Sequence, residues 1–250
     1  MPVDSRLDIN PELVIDIHQL TEQIRILVID DFLLQPEMLV TFASYHERNF
    51  KSAEGSYPGI VYGVQSMIMM SEMHRFIRMR LSNHLSFLRS SVKFTTQLSM
   101  VTLQPEELSC LQRLCHSDAQ VGSGRTKITA LLYLFDNSSL GGTGFYEWKQ
   151  REKMQQATAL ELEGQNKAMP FLQDQFDMFN NKPQYITESN EVAELIHMVP
   201  AKFNRLVVFS GGLLRSAYIE EPELLTAEVS TGRLTLNCYA SVLARDQANA

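Results

Sequence analysis

Residues 232–243, GRLTLNCYASVL, constrain the fold more than any other stretch of the chain. An alternating run of apolar and β-branched residues predicts a strand, and a strand sends successive side chains to opposite faces. Arg233, Thr235, Asn237 and Tyr239 then share one face, and Leu234, Leu236 and Cys238 share the other. A polar face of this kind can line the inner pocket of a small barrel or jelly roll, or it can face solvent. Alternation alone does not choose between them. Further strand-like runs precede it: VKFTTQLSMVTL (92–103), KITALLYLFD (127–136), NRLVVFS (204–210) and LLRSAYI (213–219). Gly-Gly pairs at 141–142 and 211–212 supply turns between them.

The first part of the chain reads differently. IRILVID (24–30) is strand-like. Pro36 suits a first helical position, and Leu39, Val40, Phe42 and Ala43 make an apolar helical face behind it. Residues 66–88 predict a longer helix, with Met67, Met70, His74, Ile77, Leu81, Leu85 and Leu88 on one face. The methionines there read as core filler. SYPGI (56–60) is a turn. Residues 147–183 break the strand rhythm with a charged, Gln-rich stretch of helical propensity. That stretch reads as an insertion between two strands, either a lid or a solvated helical excursion. The expected organisation is one domain over residues 1–250, with a helical N-terminal part (1–91), a β-rich half and the insertion at about 147–183. No internal repeat or low-complexity linker divides it.

Composition excludes several classes. The 250 residues carry a formal net charge of -7, with no Lys/Arg-rich run, so the basic footprint of a nucleic-acid binder is missing. No run reaches the ~18 apolar residues of a membrane span. The opening MPVDSRLDINPEL is polar and acidic and lacks a signal peptide's apolar core, so a cytoplasmic protein without membrane or nucleic-acid partners is expected. Cys110, Cys115 and Cys238 form no C-x-x-C and are odd in number, which argues against a disulfide framework or a structural zinc site. GSGRTK (122–127) lacks the spacing of a phosphate loop and reads as a surface loop. Ser210 precedes Gly-Gly without a nucleophile elbow. His74 and His84 stand ten apart on a helix and make no ligand pair. Trp148 sits at the start of the insertion, either at the mouth of a barrel or in ordinary packing.

One pair points to chemistry. His116 and Asp118 stand two apart in LQRLCHSDAQ (111–120), a segment that reads as extended. Positions i and i+2 of an extended chain face the same side. An imidazole beside a carboxylate suits a divalent metal such as iron, but two ligands need a third.

The order of features after this pair resembles a known family. H-S-D is followed by YLFDNSSLGGTGFY, a helical insertion, NRLVVFSGGLL and GRLTLNCY; VIDDFLLQPEMLVTFA and YPGI stand near the start. This order is similar to the Fe(II)/2-oxoglutarate-dependent oxygenases, in particular their prolyl 4-hydroxylase-like branch and an uncharacterised bacterial subfamily near it. The resemblance covers most of residues 24–243. It implies a mainly β (α+β) fold, a double-stranded β-helix or jelly roll with flanking N-terminal helices and a helical insertion. It also implies a dioxygenase that uses Fe(II) and 2-oxoglutarate to hydroxylate a C–H bond. Carried over by position, His116 and Asp118 would hold the metal. Arg233 would clamp the cosubstrate carboxylate through its planar fork, Thr235 would assist, and Tyr133 is a further cosubstrate candidate.

Where the family places its second metal histidine, this chain has Arg215. A guanidinium has no lone pair for a metal, and its charge repels one. Three readings follow. Arg215 pairs with Asp118 and replaces the metal; or it swings outward and the site works with two protein ligands; or His197, Glu220 or Glu221 substitutes. The rival to an enzyme is a non-catalytic module on the same fold, binding a carboxylate-bearing ligand. If there is a substrate, its contacts are expected in residues 147–183 and 55–65.

Overall fold

The computed structural model describes residues 6–22, 24–85, 93–118, 126–163 and 167–242. The elements in chain order are β1 (Asp16–Gln19), β2 (Arg25–Ile29), α1 (Glu37–Tyr45), β3 (Lys51–Ser52), β4 (Gly59–Gly63), α2 (Met67–Phe76), β5 (Lys93–Val101) and β6 (Thr126–Tyr133). They continue with β7 (Gly142–Trp148), α3 (Arg151–Leu162), α4 (Ala168–Gln175), β8 (Ala193–Pro200), β9 (Leu206–Ser210), β10 (Leu214–Tyr218) and β11 (Arg233–Val242). Eight strands form one antiparallel sheet in the order β1-β2-β9-β6-β11-β5-β4-β3, and a second sheet has the order β10-β7-β8.

The period-2 pattern of the large sheet is resolved by what covers each face. Leu234, Leu236 and Cys238 of β11 join Ile128, Ala130 and Leu132 of β6 beneath α1 and α2, against Leu39, Phe42, Met69, Met73 and Phe76. The opposite face turns toward the small sheet. There Leu131, Tyr133, Val207 and Phe209 pack with Phe145 and Val199. The molecule is therefore a two-sheet antiparallel jelly roll, a double-stranded β-helix, with helices on the outer face of the large sheet. The polar face of β11 falls on the inside: Arg233, Thr235 and Asn237 are all buried.

Two sequence expectations change, and one strand carries no sequence reading. The buried face of α2 is Met69, Met73 and Phe76, continuing to Ile77 and Leu81 in a π-helical turn, while Met67 is 71% exposed. MIMMSEM is apolar on more than one side, so spacing does not choose between adjacent faces. The first ninety residues contribute four strands besides the two helices. The stretch AELIHMVP, which carries no clear periodicity, is β8, the partner of β7. The insertion runs as α3 and α4 between those two strands. The end of the 66–88 helix and GSGRT (122–126), apart from the backbone of Thr126, lie outside the described residues. No helix among the described residues is long and apolar enough to cross a membrane.

Asn204, just before β9, holds the segment that follows β2. It holds φ +64°, a left-handed conformation that Asn tolerates better than most residues. Its Oδ1 accepts from Leu33 N (2.9 Å) and its Nδ2 donates to Leu33 O (2.8 Å), both buried. Asn204→Ala leaves both backbone groups unpaired, at about 1–3 kcal/mol each. A loss of roughly 2–6 kcal/mol in urea unfolding is expected; a loss below about 0.5 kcal/mol would mean that water replaces the side chain.

Candidate functional site

The cavity between the sheets has a volume of about 190 Å³. One end is built by the segment His116–Asp118, which adds to the edge of β10. His116 N donates to Arg215 O and Arg215 N to His116 O, each at 2.9 Å, and Asp118 N donates to Gly211 O at 2.7 Å. His116–Asp118 run alongside β10, whereas Leu111–Arg113 of the stretch expected to be extended form a 3-10 turn; His116, Asp118 and Arg215 all line the cavity.

Arg215 faces Asp118 directly. Its Nη2 donates to Oδ1 (2.9 Å), and Nη1 lies 2.8 Å from Oδ2 without an N–H directed at it. Thr129 of β6 donates its hydroxyl to Oδ2 at 2.6 Å. The two charged side chains are 9% and 15% exposed. The guanidinium also lies 5.3 Å from the ring centre of Phe209. Burial opposes the charge on Asp118, but the Arg215 charge and the hydrogen bonds from Arg215 and Thr129 outweigh it and hold the carboxyl below its usual range. His116 is pushed down to about 3, first by burial and then by Arg215, against the opposing pull of Asp118. The imidazole is therefore neutral at physiological pH.

This donor set does not fit a divalent metal. Both oxygens of Asp118 face a guanidinium, and no group of three His, Cys, Asp or Glu that could hold a metal occurs among the described residues. The alternative third ligands lie elsewhere: His197, on β8, hydrogen-bonds His18 at 2.9 Å, and neither it nor Glu220 nor Glu221 lines the cavity.

The other end is built around Arg233, at the start of β11. It is 3% exposed. Its Nε donates to Leu140 O (3.0 Å) and its Nη2 to Gly142 O (2.5 Å), so it cross-links the two sheets. Its guanidinium lies 5.5 Å from the ring centre of Phe135 and 6.0 Å from that of Tyr133. No carboxylate pairs with it among the described residues. Thr235 lines the same end and donates to Ser99 O (3.3 Å). Tyr133 is not among the lining residues. Its hydroxyl is buried against Thr143 Oγ1 (2.6 Å), so it supports Arg233 from beneath.

The loop before β4 supplies Ser56, Tyr57 and Pro58 to the wall, within the stretch 55–65 that the sequence points to. Tyr57 itself escapes a reading of the sequence, although the SYPGI turn carries it. Its buried hydroxyl approaches Thr235 and Ser99 but meets no partner in hydrogen-bond geometry. Gln97 and Thr143 also line the cavity and carry no sequence signal. Among the described residues, none from 147–183 lines it. The insertion instead packs Met154, Leu172, Phe176 and Phe179 against Cys110, Leu114, Cys115 and Tyr146, with Trp148 beside them. Arg113 fastens its far end, donating to Met178 O at 2.6 Å and Phe179 O at 3.3 Å. Cys110, Cys115 and Cys238 are buried free thiols, each pushed up chiefly by burial.

Fold and site together define a double-stranded β-helix protein with a polar, arginine-bearing cavity between its sheets. The chain belongs to a family described as a family of unknown function (DUF6445), whose pattern matches residues 11–240. No curated protein matches it. Among solved structures it is similar to a prolyl 4-hydroxylase from Phytophthora capsici, with 14% identity, 89% of this chain covered and a TM-score of 0.47. This chain spans 61% of that one. A prolyl-4-hydroxylase from Pseudomonas putida gives 14% identity and a TM-score of 0.44 over 88% of this chain and 92% of its own. The Kdo hydroxylase KdoO, a non-heme Fe(II) alphaketoglutarate dependent dioxygenase, gives 16% and 0.41 over 88% and 80%. The jelly-roll architecture itself rests on the strand order and register of this chain.

Proposed function

We propose that this protein is a non-catalytic binding module for a small carboxylate, built on an oxygenase-like jelly roll. In this reading Arg233 is the anchor and the Arg215–Asp118 ion pair stands where a metal would. The observation that carries it is Arg233 itself, a buried cation beside a cavity with no carboxylate paired to it among the described residues. Two carbonyl oxygens and two aromatic faces offset part of the cost of burying the charge. A ligand carboxylate completes the compensation through charge-assisted hydrogen bonds.

Titration calorimetry with a small monocarboxylate such as glutaramate tests this reading. Losing one partner of a buried charged pair costs about 2–5 kcal/mol, so Arg233→Ala is expected to weaken binding at least about thirtyfold. Arg233 also links the sheets, so Arg233→Lys is measured beside it: it keeps the charge and loses the fork. Circular dichroism and melting temperature report whether each variant is folded. Unchanged affinity in a folded Arg233→Ala would remove Arg233 from the ligand site.

A second reading, a Fe(II)/2-oxoglutarate-dependent hydroxylase of unknown substrate, is favoured by His116 and Asp118 lining the same cavity. It requires Arg215 to leave Asp118. Anaerobic addition of Fe(II) and then 2-oxoglutarate, watched for the visible charge-transfer absorption of an iron–keto-acid chelate, separates the two. Absorption that is lost in His116→Ala would favour the enzyme.

A further inference from the structure

The buried part of the cavity carries one net positive charge. Arg215 and Arg233 are positive and Asp118 is negative, while Tyr57 and Tyr239 remain neutral phenols because burial raises both hydroxyls. Glu54 reaches the lining from an exposed position, where solvent screens it.

Two buried polar atoms of the lining have no hydrogen-bond partner: Tyr57 Oη and Arg215 Nη1. The Tyr57 hydroxyl is costly to leave so; Arg215 Nη1 keeps its ion pair with Asp118 Oδ2 at 2.8 Å, and its remaining N–H, like the Tyr57 hydroxyl, can meet a ligand oxygen. They belong to opposite ends. Tyr57 feels the charge of Arg233. Arg215 meets Asp118, which is held by Thr129. In the large sheet Thr235 is opposite Tyr133 and Tyr239 is opposite Thr129. The ends are thus four residues apart along β6, roughly 14 Å at ~3.4 Å per residue. Hydrogen bonds of ~2.9 Å at either end take up part of that distance, leaving room for a short chain of a few carbons.

Resting on the carboxylate-binding function proposed for Arg233, we infer that the ligand carries a single negative charge: a carboxylate at Arg233 and Tyr57, and a neutral acceptor, an amide or carbonyl oxygen, at Arg215 Nη1. A second carboxylate at the Arg215 end would be attracted by the guanidinium and repelled by Asp118 at similar range. Those two contributions nearly cancel, and the cost of stripping water from the extra charge remains. A neutral oxygen satisfies the orphaned N–H without that cost.

The test compares glutaramate, glutarate and pentanoate by calorimetry at pH 7.5. These share a five-carbon chain and end in an amide, a second carboxylate and a methyl group. Glutaramate is expected to bind at least tenfold more tightly than either of the others. Asp118→Asn removes the opposing charge and is expected to reverse the order of glutaramate and glutarate. Glutarate binding as tightly as glutaramate to the native protein overturns the inference, as does an unchanged order in folded Asp118→Asn. If all three bind alike and all depend on Arg233, the single-charge ligand falls and the carboxylate anchor stands. If none binds, or binding ignores Arg233, the anchor itself falls.

Discussion

Arg215→Met is expected to destabilise the protein by about 3–5 kcal/mol, because it leaves Asp118 buried and uncompensated. The pair is 9% and 15% exposed, so solvent gives the stranded carboxylate little help. Thr129 keeps one hydrogen bond to it and trims the loss. The pH dependence should also change sign. In the native protein Arg215 holds the Asp118 pKa below its unfolded value. That contribution is present above about pH 4 and is lost as pH falls through the folded pKa. In Arg215→Met burial, the largest influence on Asp118, is opposed only by Thr129 and His116, and the folded pKa rises. The variant is then relatively most stable in acid and loses stability as pH rises through about 4 and above. Urea unfolding at pH 3.5, 5 and 7 reads both effects. Parallel curves for native and variant protein would show that the ion pair does not form in solution.

Arg215→His is expected to create a metal site at the Asp118 end of the cavity. Residues 116 and 215 are directly opposed across a hydrogen-bonded backbone pair. Side chains at such positions are neighbours on one face. The substitution removes a positive charge, frees both oxygens of Asp118 and sets a second imidazole beside His116. One like charge at ~4 Å is worth about 4 kcal/mol per unit charge at an effective dielectric of ~20, so a gain of roughly a hundredfold or more in Co(II) affinity is expected. The d–d absorption of bound Co(II) reports both affinity and geometry. Equal affinity in native and variant protein would mean that Arg215 is not what keeps metal out.

Part of the site is legible in the chain. The i, i+2 placement of His116 and Asp118 is local, and any extended backbone puts both side chains on one side. Arg215 stands out by its position after NRLVVF, and it does meet Asp118. Tyr57 is not legible, because a lone tyrosine in a turn has no pattern; only the fold brings that turn to Arg233. Tyr133 is a cosubstrate candidate by position, yet its hydroxyl goes to Thr143, a partner on the facing sheet that no spacing within β6 reveals. The insertion is where substrate contacts are expected from sequence, and among the described residues it supplies none to this cavity.

The sequence by itself determined the alternation of β11, the helical character behind Pro36 and within 66–88, and the H-x-D pair. These depend on neighbours a few residues away, and local periodicity carries them. The tertiary structure alone decided which face of β11 turns inward, which side of α2 is buried and that Asp118 is paired with Arg215. It also decided that Arg233 has no counter-charge among the described residues. Those outcomes depend on what covers each surface, and the covering elements lie from about twenty to more than a hundred residues away.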